Sequence, residues 1–264
     1  MNRVVLFDMD GTLTEPRQQF ERSLLGNSLL ELSQYSTIGI VTGSDEDYLF
    51  EQMGDFLSKS SCRYNIHLLP CNGTKLLTPP ESSRENHNLV HEVSMEEHLG
   101  VDNYHKIIKE IISEQSEISE NIPLTGHFVN CRGSMINWCP IGRNATTAQR
   151  DKFIQIDKKS GIRKEILLTL REELSWLGME ELVTVKLGGD TSFDIYPKGW
   201  DKTYGLRHFR NWDVWFVGDR CDEGGNDYEL YEACSGQSYV SSGPEHTKEI
   251  VKCIISNLRD KDEQ

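Results

Sequence analysis

The chain has 264 residues, of which 37% are hydrophobic and 27% charged, and a net charge of −14. Such a composition belongs to a folded globular protein. No apolar run approaches the roughly 20 residues that span a bilayer, and an acidic surface repels nucleic acid, so neither a membrane nor a nucleic acid is an expected partner. The seven cysteines are odd in number and form no C-x-x-C pair, which favours reduced thiols and a cytoplasmic location over a disulfide framework or a structural zinc site.

Val4-Val5-Leu6-Phe7 reads as a short buried strand, too brief before the charge of Asp8 to be a signal peptide. Gln18 to Leu32 has helical periodicity, and Thr37 to Val41 is a second strand. Asp45 caps a helix predicted to run to Met53 and to stop at Gly54. Strands alternating with helices predict a parallel α/β sheet. Pro79-Pro80-Glu81-Ser82-Ser83 reads as a linker or turn. The histidines from His91 to His98 lack metal-binding spacing and read as a solvated helix start, ahead of a helical stretch from Met95 to Glu117. Two β-like runs flank Arg132-Gly133-Ser134, as in a hairpin. Lys164 to Leu177 is amphipathic, and Leu182 to Lys186 is a strand. After Gly188-Gly189 the first pattern returns, with strands at Phe193-Asp194-Ile195, Val214 to Val217 and Ser238 to Val240, and a helix from Pro244 to Leu258. A Rossmann-like core split as 1–82 and 188–264, with an inserted α+β cap domain over 83–187, is the expected organisation.

Four segments carry chemistry. Asp8-Met9-Asp10-Gly11-Thr12 follows a strand directly, which puts two carboxylates at the carboxyl edge of a parallel sheet, where α/β proteins bind ligands. One carboxylate can attack phosphorus, the other can shuttle a hydroxyl proton, and Gly11 lets the backbone turn its amides toward a phosphate. Thr42-Gly43-Ser44-Asp45 offers strand-end hydroxyls and a helix N-terminus, both suited to phosphate. Lys202 begins a helix and is placed to neutralise a phosphorylated Asp8. Gly218-Asp219, followed by Gly224-Gly225-Asn226-Asp227, supplies carboxylates for Mg²⁺, with Asn226 and Asp227 as ligands or as supports for ligands.

In this order the segments resemble the haloacid dehalogenase superfamily of phosphotransferases. The resemblance implies that Asp8 is the nucleophile and Asp10 the general acid/base. It further implies that Asp8, Asp219 and the Asp10 backbone carbonyl hold Mg²⁺. Within the cap, Arg132-Gly133-Ser134-Met135-Ile136-Asn137-Trp138-Cys139-Pro140-Ile141-Gly142-Arg143 is similar to the signature of eukaryotic-type phosphomannomutases. Arg150, the run Gly188-Gly189-Asp190-Thr191-Ser192-Phe193-Asp194 through Lys202, and Arg17 continue the likeness. What it implies is a phosphomannomutase that interconverts mannose 6-phosphate and mannose 1-phosphate, primed by a hexose 1,6-bisphosphate, and a homodimer formed through the caps. A bisphosphate needs forked cationic donors for its second phosphate; Arg132, Arg143, Arg150 and Arg17 can supply them, while Ser192 and Asp194 can bond sugar hydroxyls. The chain departs from the family pattern at Thr42-Gly43-Ser44, where Gly-Gly-Ser is usual, and at Cys71-Asn72-Gly73, where Glu-Asn-Gly is usual. Thr-Gly-Ser also occurs in sugar-phosphate phosphatases of the superfamily, which is the alternative function.

Overall fold

The computed structural model describes residues 2–118 and 121–262. The chain enters with β1 (Arg3–Phe7), α1 (Arg22–Leu32), β2 (Thr37–Val41), α2 (Glu46–Lys59), β3 (Ile66–Leu69), β4 (Lys75–Thr78) and β5 (Asn88–Glu92). It continues through α3 (Met95–Leu99), α4 (Val101–Glu117), β6 (Val129–Cys131), β7 (Ile136–Trp138), α5 (Thr147–Ser160), α6 (Ile162–Trp176), β8 (Val183–Gly188) and β9 (Ser192–Pro197). It ends with β10 (Asp213–Gly218), α7 (Tyr228–Ala233), β11 (Ser238–Val240) and α8 (Pro244–Asp262). Two compact units result, Met1–Glu92 with Trp200–Gln264, and Val93–Gly199.

The first unit is built on a seven-stranded sheet of order β11-β10-β1-β2-β3-β4-β5. Strands β11 to β3 are parallel, and β4 is antiparallel to both of its neighbours, β3 and β5. Successive residues of β1 point to opposite faces. Val5 and Phe7 pack in one cluster with Leu25, Leu29 and Ile254, while Val4 and Leu6 pack in another with Phe209 and Leu230. Burial on both faces is why the strand is an unbroken apolar run. The architecture is the expected parallel-sheet α/β core.

Four expectations are corrected here. Helix α2 passes through Gly54 to Lys59: a glycine inside a helix costs only about 1 kcal/mol, less than is gained by burying Phe56 and Leu57 just beyond it. The first unit extends beyond residue 82, because β5 pairs with β4 up to the Lys75–Glu92 position. His91 therefore lies in a strand rather than at a helix start, with Nε2 3.1 Å from the Tyr204 hydroxyl. The run Phe193-Asp194-Ile195 belongs to the second unit, since β9 pairs with both β7 and β8. A two-residue apolar period identifies a strand without saying which sheet it joins, and the return to the first unit comes at Trp200.

The second unit has an antiparallel sheet of order β6-β7-β9-β8. Trp138 and Phe193 face each other across β7 and β9 and stack at 4.9 Å. Helices α4 and α6 bury Ile107, Ile111, Leu170 and Leu174. Gly100, at φ +78°, separates α3 from α4. The hairpin expected around Gly133 is present as β6 and β7.

Candidate active site

Strands β1 and β10 are neighbours; from β1 the chain goes on to β2 on one side, and from β10 it goes on to β11 on the other. This is a topological switch point, where open α/β sheets form their ligand crevice. Asp8 follows β1 and Asp219 follows β10; the Asp8 amide donates to the Val217 carbonyl at 2.9 Å. Asp8, Asp219 and Asp227 each offer a carboxylate oxygen, all within 4.8 Å of one another. Lys202 opens a short helix of Lys202–Phe209 whose first turn is capped by Asp201. Its ammonium donates to Asp8 Oδ1, and to Asp227 Oδ1 at 2.5 Å. The other oxygen of Asp227 accepts from the backbone amides of Asp219 and Arg220, each at 3.1 Å. Asp227 thus ties the lysine to the loop that carries Asp219. Gly11, at φ +84°, makes room for that loop: a β-carbon there would lie 2.4 Å from Asp219 Oδ2.

The electrostatics follow from burial. Asp8 is held well above the usual carboxylate range by desolvation, then by repulsion from Asp227, and Lys202 opposes both. Asp219 is pushed up to about 6 by burial and then by Asp227. Burial pulls the Lys202 pKa down, but Asp227 and Asp8 outweigh it, and the ammonium keeps its proton. Three carboxylates thus face one ammonium in a desolvated site, an excess of negative charge that a hard divalent cation would relieve. The adjacent Asn226 adds a buried Oδ1 with no hydrogen-bond partner among the described residues. Oxygen donors of this kind fit Mg²⁺.

Asp10 lies outside the three-carboxylate group. Its Oδ1 accepts from the Arg17 backbone amide at 3.0 Å and from the Tyr48 hydroxyl at 2.9 Å. Thr42 is buried at the end of β2, and its Oγ1 accepts from the Ser44 amide at 3.1 Å. The Ser44 and Thr42 carbonyls receive the amides of Cys71 and Asn72, both at 2.8 Å. Asn72, at φ +63°, donates its side-chain amide to the Trp200 carbonyl at 3.1 Å, tying the β2 edge to the segment that leads into Lys202. Tyr48 and Asn72 were not among the expected site residues. Tyr48 had a signal: it stands three residues after the cap residue Asp45, whose side chain accepts the Tyr48 amide at 3.0 Å.

In the second unit, Asn137 gathers several of the expected residues. Its oxygen accepts from Arg143 Nη1 at 2.8 Å, and its nitrogen donates to Asp194 Oδ1 at 2.8 Å and to Ser192 Oγ at 3.1 Å. A buried asparagine inside the apolar stretch Met135–Trp138 is the signal that could have found it. Arg150 donates to the Ala145 and Arg143 carbonyls and to Thr191 Oγ1, so it braces the loop that presents Arg143. Arg132 is buried at the hairpin, and its amide donates to the Met135 carbonyl at 2.8 Å.

Comparison with known proteins bears on this arrangement. The family model of eukaryotic phosphomannomutases matches residues 25–257; Asp8, Asp10 and Arg17 precede the matched segment. The chain is 34% identical over 252 residues to a phosphomannomutase of Arabidopsis thaliana, covering 95% of this chain and 94% of that protein. It is 32% identical over 257 residues to one of Drosophila melanogaster, covering 96% and 95%. Among solved structures, the IMP-nucleotidase of Plasmodium falciparum superimposes with a TM-score of 0.68 at 13% identity, covering 99% of this chain and 70% of that one. A Streptococcus mutans protein does so with a TM-score of 0.59 at 14% identity, covering 97% and 100%. These structural likenesses speak for the haloacid dehalogenase fold alone. The match in sequence runs nearly end to end, through both units, and the chain belongs to the eukaryotic phosphomannomutase family.

Proposed function

We propose that the protein interconverts mannose 6-phosphate and mannose 1-phosphate through an aspartyl phosphate on Asp8, with a hexose 1,6-bisphosphate as activator. The observation that carries the reading is the Lys202 ammonium fixed between Asp8 and Asp227 at the switch point, in a chain of this family. A carboxylate oriented by a buried cation and beside the end of a parallel sheet is suited to in-line attack on phosphorus.

Asp8 takes the phosphoryl group from the bisphosphate and returns it to the sugar monophosphate. Asp10 gives a proton to the departing sugar oxygen and takes one from the attacking hydroxyl. Lys202 keeps Asp8 in one orientation and balances charge as the phosphate builds on it. Asp8, Asp219 and the Asp10 carbonyl would hold Mg²⁺, with Asn226 and Asp227 as ligands or supports, and the ion would neutralise the phosphoryl oxygens. To Arg17, Thr42 and Ser44, and to Arg132, Arg143 and Arg150, we assign phosphate binding, with Arg150 acting largely through Arg143; to Ser192 and Asp194 we assign the sugar hydroxyls. The product would feed GDP-mannose synthesis in the cytoplasm, and the caps would form a homodimer, testable as dimer mass in size-exclusion chromatography with light scattering.

The reaction is tested by supplying mannose 1-phosphate, Mg²⁺ and a trace of glucose 1,6-bisphosphate, and following mannose 6-phosphate and inorganic phosphate together. Bisphosphate-dependent isomer with little free phosphate is expected. Free phosphate without isomer would make the protein a sugar-phosphate phosphatase.

A further inference from the structure

Asp10 accepts two hydrogen bonds, and both fall on the same oxygen. The Arg17 amide and the Tyr48 hydroxyl each reach Oδ1, at 3.0 and 2.9 Å, while Oδ2 receives none from the described residues. Tyr48 is itself held firmly. It lies in the first turn of α2, and its amide is taken by the Asp45 cap. Its side chain is partly buried against the first unit's core. A rigid two-torsion side chain rooted in a capped helix is a good device for fixing a partner. A carboxylate held by one oxygen has its second oxygen aimed in a constant direction.

We propose that Tyr48 is a positioning residue for Asp10: by holding Oδ1 it presents Oδ2 as the oxygen that exchanges a proton with the sugar. This rests on the reading of Asp10 as the general acid/base. When the sugar–phosphate bond breaks, its electron pair goes to the sugar oxygen, a bond forms between phosphorus and Asp8, and the Oδ2 proton passes to the sugar oxygen. In the return step the sugar hydroxyl attacks phosphorus, its proton passes to Oδ2, and the Asp8–phosphorus bond breaks.

The role separates from a merely structural one by the leaving group. A sugar alkoxide is a poor leaving group and needs the proton; acetate, leaving from acetyl phosphate, does not. Phosphorylation of Asp8 in the Mg²⁺-loaded protein would be followed by rapid quench with glucose 1,6-bisphosphate and with acetyl phosphate. Comparing two donors on one preparation makes the ratio indifferent to the fraction folded. In Tyr48→Phe we expect the sugar reaction to slow roughly 10- to 100-fold and the acetyl phosphate reaction to stay within about threefold. The same selectivity, larger, is expected in Asp10→Asn. If Asp10→Asn is selective while Tyr48→Phe slows both donors alike, or neither, the positioning role is overturned and the acid/base reading stands. If Asp10→Asn is not selective, the acid/base reading falls and the role of Tyr48 falls with it.

Discussion

Lys202 and Asp227 are joined by a 2.5 Å hydrogen bond, with their side chains only 1% and 0% exposed. A buried ammonium is tolerable only while it is paired, and removing one partner of such a pair costs more than the pair contributes. Lys202→Met keeps the length of the side chain and leaves Asp8 and Asp227 facing each other uncompensated. We expect it to lower unfolding stability by about 3–5 kcal/mol in urea denaturation, and to reduce turnover at least about a hundredfold. Unchanged stability would mean that the carboxylates are neutral without the lysine.

The same excess of carboxylates should be visible as cation dependence. Mg²⁺ at a hundredfold excess over its dissociation constant should stabilise the fold by about 2.7 kcal/mol, seen as a raised melting temperature that chelation reverses. Asp219→Asn should abolish most of that rise. A melting temperature indifferent to Mg²⁺ would count against the assignment of Asp8 and Asp219 as ligands.

Away from the site, acid stability should be set in part by histidines. His67 is lowered to about 4 by burial and then by His87 and His208, and His87 is lowered to about 4, chiefly by burial. Their folded-state values lie below the ordinary 6.5, so the unfolded chain binds more protons between those limits. Stability is therefore full above pH 6.5 and falls as pH drops toward 4. His67 alone is worth on the order of 3 kcal/mol at most. His67→Phe should flatten the dependence of chemical-denaturation midpoint on pH within that window.

Asn137 should behave as the organiser of the second unit's polar group. Asn137→Ala releases Arg143, Asp194 and Ser192 together. Losing hydrogen bonds to charged groups costs on the order of 1–3 kcal/mol, so KM for the sugar phosphate should rise roughly tenfold or more with a smaller change in kcat. A loss confined to kcat would remove these residues from ground-state binding.

Much of this was legible in the sequence, for identifiable reasons. The strands ending at Phe7, Val41 and Gly218 contain apolar runs because both faces of the sheet are covered, and a polar residue immediately after such a strand lands at the carboxyl edge. That is how Asp8, Thr42 and Asp219 were found. Lys202 announced itself only through its motif, since a lone lysine at a helix start reads as surface and this one is 1% exposed. The unit boundaries were displaced because pairing partners are not written in a strand's own periodicity: Asn88–Glu92 and Ser192–Pro197 each needed a neighbouring strand to place them. Tyr48 escaped because its bond to Asp10 joins residues 38 positions apart; its place three residues after the Asp45 cap fixes where it sits on the helix, not what its hydroxyl reaches. For Asn137 the polar residue within an apolar run marked the position, but its partners Ser192 and Asp194 lie 55 and 57 positions away and only the folded sheet brings them to it.

The most direct test of a mutase working through Asp8 is to trap the phosphoprotein. Incubation with radiolabelled hexose 1,6-bisphosphate and Mg²⁺, followed by acid quench and peptide mapping, should put the label on Asp8, and a chase with unlabelled mannose 6-phosphate should move it into sugar phosphate. Label on another residue, no label at all in a protein that turns over, or label released only as inorganic phosphate would contradict the proposed reaction.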